Sequence, residues 1–321
     1  MKESFKLFFP VIFAILLSFL NSEKISSQQY QKKSDSHKTS LKEENKVSDS
    51  VIQSLKQRIN KKQIEDQIDK ANAYWHISRH YRDKGILDSA VKYVEKGWDI
   101  AKKNNYKKFF DQYLPFIAYT HWLKGNYSRA LSYLMEFERN IESADSSRIK
   151  AMYNIYGLTY TQLGNYQLAE ENFTKALQIS KKLGQKSYTG IVNANLGGLY
   201  YEQGKLDKAQ EFYQKGSKIE LENNKHDAAG RSFVSMANIH LDKGQPGKAK
   251  ELLDKAREQN IIGDDNIGLC RTYVGFGNLH LYKNNISKAA DYFHKAESLA
   301  QEKGTKKELM ISYQGLYKTY N

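Results

Sequence analysis

The chain has 321 residues, a formal net charge of +14, a single cysteine and three prolines. One cysteine excludes an intrachain disulfide framework, and few prolines with glycines gathered at turns suit an all-helical chain. The length excludes one compact core, a limit that a repeat array avoids because each repeat buries its face only against its neighbours.

Residues 1–27 read as a signal peptide. Lys2 and Lys6 precede an apolar run, Leu7–Leu20, which is short for a membrane span and right for the core of an export signal. Ser26 and Ser27 offer a cleavage region before Gln28. The expectation is an exported protein, periplasmic or secreted, with membrane association only if this segment stays uncleaved. Residues 28–49 are Ser, Lys, Gln, Glu and Asp with almost no large apolar side chains, the composition of a flexible linker. Val51 to Ile68 regains an apolar stripe whose phase slips near Asn60, read as a capping helix over 50–70.

From residue 71 one shape returns: a glycine, an apolar residue two places on and an alanine five places on. It reads Gly85…Leu87…Ala90, Gly125…Tyr127…Ala130, Gly164…Tyr166…Ala169, Gly204…Leu206…Ala209, Gly244…Pro246…Ala249 and Asn284…Ile286…Ala289. The alanines lie 39 or 40 residues apart, the period of a solenoid. Glycine at the end of a helix takes the left-handed conformation without steric cost, and asparagine is its usual substitute. Pro246 suits the first turn of a helix, where its missing N–H costs nothing. A small residue stands twelve places before each alanine: Ser78, Ala118, Gly157, Gly197, Ala237 and Gly277. Three places after it comes Tyr81, His121, Tyr160, Tyr200, His240 or His280. Such a block is a helix, a tight turn and a second helix crossing it closely. The repeats fall at about 71–110, 111–149, 150–189, 190–229, 230–269 and 270–302, with 303–321 a capping or seventh-repeat helix. Pro115, inside a first helix, predicts a kink or a late start there.

This order of small, aromatic, Gly and Ala residues resembles the tetratricopeptide repeat, over roughly residues 71 to 321. The period departs from that family's usual length of about 34 residues. The longer form is similar to repeats in bacterial peptide-sensing regulators and sensor proteins. The resemblance implies an all-α fold, a right-handed superhelical solenoid of antiparallel helix hairpins. It also implies a non-catalytic scaffold that binds a protein or extended peptide segment in its concave groove. The alternative it leaves open is the sensory ectodomain of a signalling protein, cut before its output domain. Carried over by position, the groove comprises Arg79, Tyr119, Trp122, Asn154, Asn195, Tyr201, Arg231, Asn238, Arg271, Asn278 and Tyr282. Trp75, His76, Arg82 and Glu202 extend it. Asn238 and Asn278 are one period apart, and so are Arg231 and Arg271. An amide both donates and accepts, which matches a peptide main chain, and an arginine holds a carboxylate with two bonds.

Chemistry of other kinds finds little footing. No phosphate-cradling loop, nucleophile elbow or paired-cysteine site is present, so neither an enzyme nor a cofactor is expected. His76 and His80 stand at ligand spacing on one helical face but have no third ligand in sequence, so no metal is expected either. His240 and His280 replace tyrosines at a packing position, and Cys270 reads as a small buried residue. The positive charge is scattered among glutamates in every repeat, which speaks against nucleic acid as the partner.

Overall fold

The computed structural model describes residues 49–140 and 145–320. The signal peptide and most of the linker therefore lie outside the described residues. The chain divides into a unit ending at Glu65 and a unit beginning at Asp66. In the first, helix α1 spans 49–60 and ends in a turn in which Lys62 has φ 55°. The phase slip near Asn60 is the end of that helix. Ile64 lies in the following loop and Ile68 in the next helix, so 50–70 is not a single helix.

The second unit is a stack of helix hairpins. Its first helices are α2 (Gln67–Asp83), α4 (Lys107–Leu123), α6 (Ser146–Gln162), α8 (Lys186–Glu202), α10 (His226–Asp242), α12 (Asn266–Tyr282) and α14 (Lys306–Tyr320). The second helices between them are α3 (Leu87–Lys103), α5 (Tyr127–Glu138), α7 (Tyr166–Lys182), α9 (Leu206–Glu222), α11 (Pro246–Ile262) and α13 (Ile286–Lys303). Most helices have 17 residues and most turns have three, which together make the 40-residue period. The first helices begin about one turn ahead of the boundaries drawn from the small-residue pattern.

Two series of left-handed residues close the turns. The first is the expected one: Gly85, Gly125, Gly164, Gly204, Gly244 and Asn284 all have positive φ. The second lies at junctions between successive hairpins and runs through Asn105, Gly184, Asn224, Asp264 and Gly304. Each turn ties off the preceding carbonyls; after α8, Gly204 N–H donates to Tyr201 O at 2.9 Å and Lys205 N–H to Tyr200 O at 2.9 Å.

The small positions are explained by what lies on them. A Cβ added at Gly157, Gly197 or Gly277 would fall within 2.8 Å of a ring carbon of Phe173, Tyr213 or Phe293 respectively. Where the facing residue is the smaller Leu134 or Leu253, the first helix carries Ala118 or Ala237 instead, and all four are buried. The size of one side chain answers the size of the other, as close packing requires. The aromatic position beside it stacks on a second-helix ring twelve residues on. Tyr81 lies on Tyr93 (5.7 Å), His121 on Tyr133 (5.4 Å), Tyr200 on Phe212 (5.2 Å) and His280 on Tyr292 (5.4 Å). Burial lowers the pKa of both His121 and His280, keeping them neutral rings in a packing row.

Pro115 does not delay its helix, for α4 begins at Lys107 in register with α2. Proline withdraws the N–H that would bond the Asp111 carbonyl. Arg148 of α6 takes its place, donating from Nη1 to Asp111 O at 3.0 Å.

First helices touch one another from repeat to repeat, α4 with α6, α6 with α8, and onward to α14. Second helices make their substantial contacts with the first helices on either side. A stack whose one layer is drawn together and whose other is splayed must curve toward the closer layer. The first helices therefore form the inner, concave wall of the superhelix.

Candidate functional site

The inner wall opens in one region into a pocket of about 390 Å³, lined mainly by α6, α8 and α10. The reason is local sequence. At successive inner positions α8 carries Ala194 and Gly198, flanked by Ile191 and Asn195, so little side-chain volume projects there. Leu158 and Thr161 of α6 form one side, Arg231 and Ser235 of α10 the other, and Glu202 stands at the rim. Four of the residues carried over from the resemblance, Tyr119, Asn195, Glu202 and Arg231, meet at this pocket.

The others are placed along the same layer with different roles. Asn195 Nδ2 donates to Asn154 Oδ1 at 2.8 Å, and Asn154 is buried, so this pair ties α8 to α6. Tyr201 donates to Asp242 Oδ2 at 2.7 Å, one helix on. Arg79 is exposed, with its guanidinium 5.7 Å from the Trp75 ring and 3.7 Å from Asp83. Tyr119 and Trp122 stack on each other at 5.6 Å. Tyr282 is 53% exposed at the end of α12.

The two arginines expected to receive an acidic ligand are already engaged. Arg231 reaches Asp265 Oδ2 at 2.8 Å and Asp227 Oδ2 at 3.1 Å. Arg271 holds the buried Glu308 of α14 through Nη2 at 2.7 Å and Nε at 3.2 Å. Each arginine bridges its own first helix to the next repeat, so its geometry serves the stack. A partner in sequence more than 30 residues away, out of phase with the repeat, left no periodic signal to mark it. The asparagines differ: neither Asn238 nor Asn278 has a hydrogen-bond partner among the described residues, and both are half-buried on the inner wall.

Glu220 of α9 also reaches the pocket, a position that the groove pattern, confined to first helices, passes over. It is 2% exposed and accepts from Ser232 Oγ at 3.1 Å. Burial raises its carboxyl to about 7, against the opposing hydrogen bond from Ser232 and the nearby Arg231. The same junction one period later is a neutral pair, Asn260 Nδ2 donating to Thr272 Oγ1 at 2.9 Å. The sequence signal that could have marked it, a single acid in the row Ser180, Glu220, Asn260, Ala300, went unread.

The remaining reactive groups are engaged by neighbouring groups, though His76 is exposed. Cys270 donates to Ala296 O at 3.3 Å, and burial pushes its thiol up to about 11. His240 Nδ1 lies 2.7 Å from Gln245 Oε1 across the hairpin turn. His76 and His80 lie edge-on to Trp75 and Tyr81. Among the described residues no three metal-ligating side chains come together, and no helix is long and apolar enough to cross a membrane.

Comparison with known proteins agrees with this architecture. The model of the MalT-like TPR region matches residues 112–261, and a tetratricopeptide repeat model matches 229–302. No curated protein matches the chain. Among solved structures, a Rap protein complexed with competence and sporulation factor superposes with TM-score 0.64 at 13% identity. That match covers 83% of this chain and 79% of the Rap chain. The apo form of RapI gives TM-score 0.56 at 15% identity, over 78% of this chain and 96% of RapI. Aspartyl phosphate phosphatase F from Bacillus subtilis gives 0.55 at 15% identity, over 82% and 74%. With matching models across 112–302 and first helices in one register from Gln67 to Tyr320, the chain belongs to the tetratricopeptide repeat family.

Proposed function

We propose that the chain is an exported, non-catalytic scaffold that holds an extended peptide or protein segment along its inner wall. The observation that carries this reading is the contrast between the paired arginines and the unengaged amides. Asn238 and Asn278 stand one helix apart on the concave side, each able to donate to and accept from a peptide unit. Within two turns before Asn238, at Arg231 and Ser235, the wall opens into a pocket of the size that takes a side chain or two. The complex of a Rap protein with competence and sporulation factor is in keeping with a ligand-holding groove in this fold. Export rests on the apolar run after Lys6, and the mass of the native protein recovered from each cell fraction tests it.

The groove is tested with the double variant Asn238→Ala, Asn278→Ala. Two lost amide contacts, at about 0.5–1.5 kcal/mol each, predict roughly tenfold weaker retention of a randomised pentapeptide pool. The melting temperature is expected to stay unchanged, because neither amide bonds to the protein. Retention equal to wild type would place the binding surface elsewhere.

A further inference from the structure

The pocket carries the wrong charge for its protein. The chain as a whole has a net charge of +14, yet the charged residues lining the pocket are Glu202, Glu220 and Arg231. Arg231 is neutralised twice, by Asp227 and Asp265. Glu202 has no ion pair among the described residues. Glu220 has only the Ser232 hydroxyl on Oε2, and its Oε1 receives no hydrogen bond. The result is a concave acidic site, one carboxylate at the rim and one nearly fully buried, between apolar walls formed by Leu158, Ile191 and Ala194.

Resting on the peptide-groove reading above, we propose that this pocket takes a primary ammonium group carried by the bound peptide, with Glu220 as its acceptor. An ammonium presents three donors from a compact head, which suits the open Oε1 of Glu220. The apolar walls fit the methylene stem of a lysine, which buries along such surface while its head finds polar partners. A peptide's terminal amine offers the same head without the stem. A buried carboxylate with an empty acceptor position is costly, and a bound cation removes that cost. Glu220 thereby gives a reason for an acid at a junction that elsewhere in the stack holds Ser, Asn or Ala.

The test uses the full chain and three pools of randomised pentapeptides in equilibrium dialysis. One pool has free amino termini and no lysine or arginine. The second is acetylated with one lysine, and the third is acetylated with neither lysine nor arginine. Wild type is expected to retain the first or second pool about tenfold better than the third, the increment of one charge-assisted contact. Whichever of the two is retained identifies the source of the ammonium group. Glu220→Gln, which keeps the bond from Ser232, is expected to bring retention down to that of the third pool while the protein stays folded by circular dichroism. A wild-type pH series supplies a second reading that needs no variant. The charged groups acting on Glu220 are Arg231 and Asp227 of α10. With its carboxyl near 7, the retention of the lysine pool should rise about tenfold from pH 6 to pH 8. Equal retention of all three pools would overturn the ammonium anchor and leave the groove standing. Retention of none would overturn the groove and the anchor together. A preference that survives Glu220→Gln and is flat with pH would also overturn the anchor.

Discussion

Helices α4 and α8 hold equivalent places in the stack and present opposite surfaces to the groove. Phe116, Tyr119 and Trp122 of α4 stand where α8 has Asn195, Gly198 and Tyr201. On α4 the rings fill the wall. Phe116 lies 5.6 Å from Trp75 and has the Arg82 guanidinium 4.4 Å above it, while Tyr119 stacks on Trp122. On α8 the wall recedes and the pocket opens over Glu220. Both helices have 17 residues and the same neighbours in the same order. Side-chain volume at a few inner positions therefore decides where this superhelix is closed and where it is open. Backbone geometry alone does not.

The most severe way to break that comparison is to remove the carboxyl beneath α8. Burial holds Glu220 near 7, so between about pH 4.5 and pH 7 the native protein keeps a proton that the unfolded chain releases. The native state binds more protons across that window, and stability must fall as pH rises through it. At 1.36 kcal/mol per pH unit the loss is roughly 3 kcal/mol, complete above pH 7. Glu220→Gln should flatten this dependence and be the more stable protein at pH 8. Denaturation midpoints at pH 5 and pH 8 check it; an identical pH profile in both proteins would mean the carboxyl titrates as an exposed one.

Further along the inner layer the contrast lies between an arginine and an asparagine of one helix. Arg271→Met leaves Glu308, 5% exposed, without its two charge-assisted bonds. Because Arg271 itself is partly open to water, the cost should be about 2 kcal/mol rather than that of a fully buried pair. Asn278→Ala, seven residues on, should change stability by less than about 0.5 kcal/mol. Comparable losses from the two would show that Asn278 has a structural task as well.

What could be read beforehand follows the same division. The hairpins, their period and the first series of left-handed turns were legible because each rests on a residue type that must recur every 40 positions. The second turn series escaped because it alternates Asn, Gly and Asp, three residues that share a conformation without sharing a letter. Inner-wall positions were legible as places, and Tyr119, Asn195, Glu202 and Arg231 do meet at the pocket. Their engagements were not. Arg231 to Asp265 and Arg271 to Glu308 cross between repeats at different spacings, which periodicity cannot express. Glu220 reaches the groove from a second helix only because Gly190 of α8 leaves room, a Cβ there lying 3.1 Å from its Cγ. That opening depends on two helices at once.

Neighbouring glycines on α8 offer the finest probe of closed against open wall. Gly197 faces inward to the hairpin core, and an added Cβ would meet Tyr213 ring carbons at 2.8 and 2.9 Å. Gly198 faces the pocket, where the same atom meets only Tyr213 Oη at 3.4 Å, ordinary contact. Alanine gains about 0.8–1.0 kcal/mol of helix propensity over glycine at either site. At Gly197 the overpacking, about 1–3 kcal/mol, outweighs it, so Gly197→Ala should lose about 1 kcal/mol net. At Gly198 nothing opposes the gain, and Gly198→Ala should be more stable by about 0.5–1 kcal/mol. Denaturant midpoints of the two variants decide the matter. Loss at both would mean that α8 packs its pocket face as tightly as its core face, and a gain at both that Tyr213 yields freely. Opposite signs from adjacent residues are what an open wall on one side of a close-packed helix requires.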